Sequence, residues 1–156
     1  MDKPIYEVRS LKHAYGGKTV LSIDHLDLQP ASIVGLIGPN GSGKSSLLRI
    51  LGLVEKPTGG EMRFNGRRVE PFSEKTRFMV TLLPQEPFLM KRSVLSNVSY
   101  GLKLRGKNGQ EVTTRVRQAL SVVGLPFDDF ADRPWYALSG GEMQRVLLAL
   151  ALGQDP

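Results

Sequence analysis

The stretch 38–45, Gly-Pro-Asn-Gly-Ser-Gly-Lys-Ser, constrains the fold more than any other part of this sequence. It lies between the apolar run 33–37 and the helix-forming run 46–51, as a strand-loop-helix unit requires. Glycines permit positive φ, which turns successive backbone amides inward toward an anion. A helix N-terminus then favours a phosphate, Lys44 can reach the β- and γ-phosphates, and the Ser45 hydroxyl can bind Mg²⁺.

The pattern therefore predicts that this chain binds a nucleoside triphosphate. A glycine-rich turn with a solvated lysine is the weaker interpretation. The residues predicted to form the site are Gly38, Pro39, Asn40, Gly41, Ser42, Gly43, Lys44, Ser45 and Ser46.

The composition limits the class of protein. A chain of 156 residues is long enough for one domain with a hydrophobic core. The absence of cysteine excludes disulfides and thiolate metal sites, and we expect a cytosolic protein. No apolar run approaches the roughly 20 residues that span a bilayer, and the N-terminus lacks the apolar core of a secretion signal.

The net charge of +6 is unevenly distributed. Between Arg63 and Arg117 there are twelve Lys or Arg residues against four Asp or Glu. A basic region of this kind could contact nucleic acid or anionic lipid. Because the charges are spread over several predicted elements, a solvated surface is the favoured interpretation.

Hydrophobic periodicity predicts strands in the first half of the chain and helices in the second. Half-buried strands are expected at 5–8 and 20–28, a short strand at 61–66, and buried strands at 32–37 and 78–83. Gly16 and Gly17 supply a turn between the first two strands. Helices are expected from Ser93, over 112–123, and from Ser139 to Leu152 with Gly153 as the C-cap.

A second phosphate-binding pattern occupies residues 138–145, Leu-Ser-Gly-Gly-Glu-Met-Gln-Arg. Ser139 can cap a helix while the two glycines leave its N-terminus open to an anion. Alone, this could be an ordinary helix start. Following a phosphate loop, it resembles the signature motif of ATP-binding cassette (ABC) ATPases, and the resemblance covers essentially the whole chain.

The resemblance implies an α/β fold of the P-loop NTPase (RecA-like) class, with a parallel sheet, an antiparallel β subdomain, a helical subdomain and a missing C-terminal part. Three regions are expected within a partial ABC ATPase domain, 1–156. They are 1–85, the β subdomain plus nucleotide-binding core; 86–136, a partner-facing loop and the helical subdomain; and 137–156, the signature motif and the following helix.

The resemblance also assigns roles to individual residues. Tyr15 matches the aromatic residue that stacks on adenine, and Gln85 matches the glutamine that contacts Mg²⁺ and the attacking water. Lys44 and Gln85 are thus the expected catalytic residues. The residues expected to contact ATP bound to a second copy are Leu138, Ser139, Gly140, Gly141 and Glu142. The apolar residues expected to dock on a membrane partner are Phe88, Leu89 and Met90. We expect His13, His25 and Trp135 to be structural.

The function implied is the ATP-binding, energy-coupling subunit of an ABC membrane transporter, with ATP and Mg²⁺ as cofactors. Its expected partners are a transmembrane permease and a second ABC ATPase subunit in a head-to-tail homodimer, on the cytoplasmic face of the cell membrane. Residues 93–102 are similar to importer ATPases, and tungstate, molybdate or phosphate importers look most similar. A soluble ABC protein acting on ribosomes or nucleic acid and a P-loop metabolite kinase are the alternatives; nucleic acid is the less favoured partner.

The sequence departs from the family pattern after the last helix. The family places there an apolar strand ending in Asp-Glu, which supplies an Mg²⁺-side aspartate and the general base, and later a histidine. Neither this strand nor a histidine follows the last predicted helix within the 156 residues. We therefore expect a C-terminally truncated ABC ATPase that hydrolyses ATP poorly and exposes apolar surface.

Overall fold

The computed structural model describes residues 3–73 and 78–154, so Lys75 and Arg77 of the basic region lie outside the described residues. The chain divides into two compact units, Met1–Leu82 and Leu83–Pro156. In the described ranges, no helix combines the length and apolarity needed to cross a membrane.

The first unit is an antiparallel sheet with one helix packed on it. Its strands are β1 (Tyr6–Tyr15), β2 (Lys18–Leu28), β3 (Gly59–Phe64) and β4 (Arg67–Arg68), and its helix is α1 (Lys44–Leu51). The strand order is β2-β1-β3-β4. Gly16 and Gly17 have φ of 55° and 82° and form a two-residue hairpin loop, as predicted.

The core of this unit lies between the sheet and α1. Val8 and Leu11 of β1 and Ile50 of α1 are fully buried, and Met62 of β3 packs in the same cluster. Full burial of a side chain of this size contributes roughly 1.5–3 kcal/mol. The strands predicted at 5–8, 20–28 and 61–66 are confirmed, because their alternating apolar residues supply this core.

The prediction of two buried parallel strands at 32–37 and 78–83 is wrong. Neither segment is a strand, and Ile33 and Ile37 are fully exposed. Within residues 3–73 and 78–154, the strand ladders join only β1 to β2, β1 to β3 and β3 to β4. A parallel strand needs hydrogen-bonding neighbours, and an apolar run does not supply them by itself.

The second unit is a bundle of helices. Its elements are α2 (Val94–Leu104), α3 (Gly109–Val122), α4 (Phe127–Phe130), a 3₁₀ turn (Trp135–Ala137) and α5 (Gly140–Gly153). The predicted helix start at Ser93 is confirmed, since its Oγ accepts a hydrogen bond from the Ser96 amide at 3.3 Å. The predicted stripe on α3 is buried at Val112, Val116, Ala119 and Leu120.

Gly153 does not cap α5 as predicted. It is the last helical residue, it is buried, and its backbone does not have positive φ. A Cβ at this position would lie 3.5 Å from the Ala119 Cβ and 3.8 Å from Val98. These are ordinary van der Waals distances, so the packing of α5 on α2 and α3 does not by itself require glycine here.

Candidate nucleotide-binding site

The loop preceding α1 has the backbone conformation that the glycine pattern predicts. Gly41 and Gly43 have φ of 80° and 86°, in the left-handed region. A Cβ on Gly43 would lie 2.5 Å from the Val20 carbonyl oxygen, so a side chain is excluded there by contact as well as by φ. Gly43 is the N-cap of α1 and provides no side-chain cap.

The N-terminus of α1 is open to an anion. The Leu47 amide donates to the Gly43 carbonyl at 2.9 Å, and the amides of residues 44–46 precede this first helical bond. The first turn of α1 carries no acidic side chain. Unpaired amides and the positive end of the helix dipole therefore face the loop without a carboxylate of the helix's own first turn to neutralise them.

Lys44 lies across the loop that it follows. Its Nζ donates to the carbonyl oxygens of Gly38 and Pro39, both at 2.7 Å. The Ser42 amide donates to Pro39 at 3.3 Å, which closes the turn. A positive charge is thus held on the loop that leads into the open amides of α1. The donor set fits a polyphosphate.

Tyr15, predicted to stack on a nucleotide base, is in the same unit as this loop. It is the last residue of β1, its side chain is partly exposed, and its Oη lies 3.4 Å from the Oγ of Ser46 in α1. The Tyr15 hydroxyl donates to Glu55 Oε1 at 2.5 Å. The structure therefore places Tyr15 beside Ser46, the last of the residues predicted at 38–46.

The predicted docking trio is only partly exposed. Phe88 is 80% exposed, but Leu89 is 5% exposed and belongs to the core of the helical unit. Met90 is half-buried, and its backbone amide and carbonyl form hydrogen bonds of 2.8 and 3.1 Å with the Asn97 side chain. The prediction of three exposed anchors is wrong at Leu89, because the loop turns that side chain inward against the helices. Gln85, on the preceding bend, is exposed.

The signature residues form a capped helix start. Ser139 Oγ accepts from the Glu142 amide at 3.3 Å, and Glu142 Oε2 accepts from the Ser139 amide at 2.7 Å. This is a complete capping box. Hydrogen bonding to the Ser139 backbone and side chain lowers the pKa of Glu142, and nearby Arg133 and Arg145 add to the effect. Leu138, just before the cap, is buried in the helical core.

Neither backbone conformation nor packing within this unit requires glycine at positions 140 and 141. Neither has positive φ, and a Cβ added to either would meet nothing within 4 Å. The capping box engages the amides of Ser139 and Glu142, and the two glycine amides lie between them in the first turn. Both residues are exposed. The arrangement leaves room for a group from outside this unit to approach the helix backbone closely.

Sequence reasoning missed two polar positions. Glu55 joins Tyr15 to His13, whose Nε2 lies 3.1 Å from Glu55 Oε1, and Asn97 holds the 90–93 backbone. Glu55 carries no local sequence signal, since its contacts with Tyr15 and His13 are 40 and 42 residues away. Across the part of the chain that is described, no group of three or more His, Asp and Glu residues could hold a metal ion.

Comparison with known proteins identifies the family. The model of the ABC transporter family matches residues 21–156. This chain belongs to the ABC transporter family. By family resemblance it is an ABC-type ATPase and an ATP-binding subunit, as the sequence predicted, and the P-loop α/β fold class is confirmed.

This ABC chain spans only part of the length of the relatives that it matches. It is 38% identical over 149 residues to the tungstate uptake ATP-binding protein TupC of Peptoclostridium acidaminophilum, covering 96% of this chain and 67% of the relative. It is 31% identical to the spermidine/putrescine import ATP-binding protein PotA of Haemophilus influenzae, covering 99% of this chain and 41% of that protein.

A solved structure also matches this chain. The dimeric post-hydrolysis state of the ATP-binding cassette MJ0796, bound to ADP and Pi, superposes with a TM-score of 0.86 at 27% identity. The match covers 97% of this chain and 70% of that one.

Proposed function

We propose that this chain is the ATP-binding, energy-coupling subunit of a membrane importer for a small solute. The proposal is supported by the family and by relatives named as uptake and import proteins. The observation that carries it is the loop at 38–45, which combines left-handed glycines, open helix amides and the Lys44 ammonium.

In this proposal the residues of the loop and of α1 bind the triphosphate. Lys44 contacts the β- and γ-phosphates, and the Ser45 hydroxyl is placed at the helix start to bind Mg²⁺. Mg²⁺, when bound, neutralises charge that develops on the transferred phosphoryl group. Tyr15 supplies an aromatic surface for the base, and Gln85 contacts the metal and orients water.

We further infer that two copies pair head to tail, with the 138–142 segment of one copy on the γ-phosphate held by the other. The exposed glycines at 140 and 141 support this, since nothing within 4 Å explains them. The dimeric MJ0796 cassette is consistent with such pairing. Within one chain we retain the division 1–85, 86–136 and 137–156 as the nucleotide-binding, partner-facing and signature regions.

The permease partner and the location follow from the same proposal. Because Leu89 is buried in the core, Phe88 is the exposed apolar residue that we assign to the contact with the permease. The support for this assignment is that Phe88 lies in the partner-facing loop that the family resemblance predicts. We place the chain at the cytoplasmic face of the membrane, bound through a permease.

The transported solute is proposed to be an oxyanion of the tungstate, molybdate or phosphate type. The support is the similarity to the tungstate uptake protein. Cells lacking the gene for this chain should lose uptake of one of these oxyanions and keep spermidine uptake. Loss of spermidine uptake alone would overturn the oxyanion assignment while leaving the importer proposal intact.

The nucleotide site is tested by ATP titration of the 156-residue chain and its Lys44→Ala variant. We expect the substitution to weaken ATP affinity at least about tenfold, since a charge-assisted hydrogen bond to phosphate contributes roughly 1.5–3 kcal/mol. Lys12→Ala, on an exposed position of β1, is the matched control and should bind ATP as the unmodified chain does. Equal affinity of all three chains would contradict the proposal.

A further inference from the structure

A cluster of polar side chains connects the end of β1 to the loop after α1. The carboxylate of Glu55 accepts a hydrogen bond from Tyr15 Oη at 2.5 Å and lies 3.1 Å from His13 Nε2. Tyr15 Oη is also 3.4 Å from Ser46 Oγ, and Ser46 is in the first turn of α1. The cluster therefore connects the phosphate-binding helix to the aromatic ring beside it.

The cluster is buried at its base and exposed at its top. His13 is 4% exposed, whereas Tyr15 is 44% exposed. Two buried polar atoms, His13 Nδ1 and Glu55 Oε2, have no hydrogen-bond partner. Oε2 has Arg49 Nη1 at 4.0 Å, too far for a hydrogen bond. Burying such atoms costs free energy, so simple packing of the sheet does not explain the cluster.

Tyr15 is held at two points. Its hydroxyl is fixed by Glu55, and its ring meets the His13 ring edge to face, with centroids 4.6 Å apart and planes at 90°. A tyrosine fixed at its hydroxyl and at its ring has little freedom to rotate. The exposed remainder of the ring is therefore a pre-positioned aromatic surface next to the start of α1. Pre-positioning lowers the entropy lost when a ligand binds.

We propose that Glu55 is a positioning residue for the nucleotide base: it holds the Tyr15 ring in the orientation that stacks on the base of a nucleotide whose phosphates lie on 38–45. This inference rests on the function proposed above. Glu55 does not touch the nucleotide in this account. Its effect passes through the Tyr15 hydroxyl, so it contributes to the affinity for the base and not to that for the phosphates.

Inorganic tripolyphosphate separates the two contributions, because it carries the phosphates of ATP without the base. We expect Tyr15→Phe and Glu55→Ala each to weaken ATP binding about three- to tenfold, the range given by one lost hydrogen bond. Both variants should bind tripolyphosphate with unchanged affinity. Glu55→Gln keeps an acceptor oxygen for the tyrosine and should retain most of the ATP affinity.

A double variant tests whether the two residues act together. If Glu55 acts through the Tyr15 hydroxyl, the variant combining Tyr15→Phe with Glu55→Ala should bind ATP no more weakly than Glu55→Ala alone. Glu61→Ala, at a half-exposed position on β3, is the matched control and should leave both affinities unchanged. Tyr15→Phe removes only a hydroxyl, so it keeps the test valid even where Glu55→Ala unfolds.

The outcomes are distinguishable. Equal weakening of ATP and tripolyphosphate by Tyr15→Phe, additive effects in the double variant, or unchanged ATP binding in Tyr15→Phe would each overturn the role of Glu55. In those cases the unmodified chain still binds ATP, and the proposed function stands. Failure of the unmodified chain to bind either ligand would overturn the proposed function and this inference with it.

Discussion

Gly41 and Gly43 share a left-handed backbone but differ in their surroundings. A Cβ on Gly43 would collide with the Val20 carbonyl at 2.5 Å, whereas one on Gly41 would meet nothing within 4 Å. We expect Gly41→Ala to cost about 1 kcal/mol of unfolding free energy, from φ alone. Gly43→Ala should cost at least about 2 kcal/mol, because the clash must also be relieved. Urea unfolding measures both, and equal losses would show that contact with Val20 does not matter.

These glycines were predictable from sequence only in part. The spacing of Gly38, Gly41 and Gly43 before Lys44 predicts a phosphate loop, and φ at Gly41 and Gly43 agrees with that prediction. The close approach of Val20 was not predictable, because it depends on how β2 lies beside the loop. The same holds for Glu55, whose partners are distant in sequence.

The first turn of α5 links stability to pH. Hydrogen bonds from Ser139 lower the pKa of Glu142 in the folded chain. A depressed folded pKa contributes stability that is present above the ordinary glutamate pKa and lost as pH falls through the depressed value. We expect Glu142→Gln to flatten the fall in unfolding free energy over that acidic range. Denaturant unfolding at a series of pH values measures this, and parallel pH profiles for both chains would contradict it.

Substitutions in the exposed segment 32–37 and in α1 are expected to have different effects on unfolding free energy. Ile33 is fully exposed and Ile50 is fully buried. Ile33→Ser should change unfolding free energy by no more than about 0.5 kcal/mol and should reduce binding of an apolar dye. Ile50→Ala should cost roughly 2–5 kcal/mol. A large loss of stability in Ile33→Ser would mean that the segment is buried in solution.

Helices and strands were predictable where the periodicity of apolar residues indicates which face of the element is buried. The stripe on α3 and the alternation in β1 each describe one element and its core face, and the structure agrees. The runs 32–37 and 78–83 describe only apolarity. Whether such a run becomes a strand depends on a neighbour that pairs with it, and periodicity contains no information about that neighbour. Leu89 was not predictable for a related reason, since its direction depends on the backbone of a loop that the Asn97 side chain holds at Met90.

At the scale of the whole molecule, ATP binding and ATP hydrolysis depend on different segments. The phosphate contacts proposed for residues 38–46 lie within the described first unit. The resemblance assigns the general base to a strand that the 156 residues do not include. General-base catalysis contributes a factor of order 10²–10⁴. We therefore expect these 156 residues alone to bind ATP yet release phosphate well below about 1 s⁻¹ in a steady-state assay. Turnover at or above that rate would contradict this account.

The position of the nucleotide is the most direct test of the central claim, that residues 38–46 bind the triphosphate. Addition of Mg-ATP to the isotopically labelled chain should shift the backbone amide resonances of Gly41, Gly43, Lys44 and Ser45 before any others. The same addition to Lys44→Ala should produce much smaller shifts at equal concentration. Shifts confined to other parts of the chain, or unchanged shifts in Lys44→Ala, would contradict the claim.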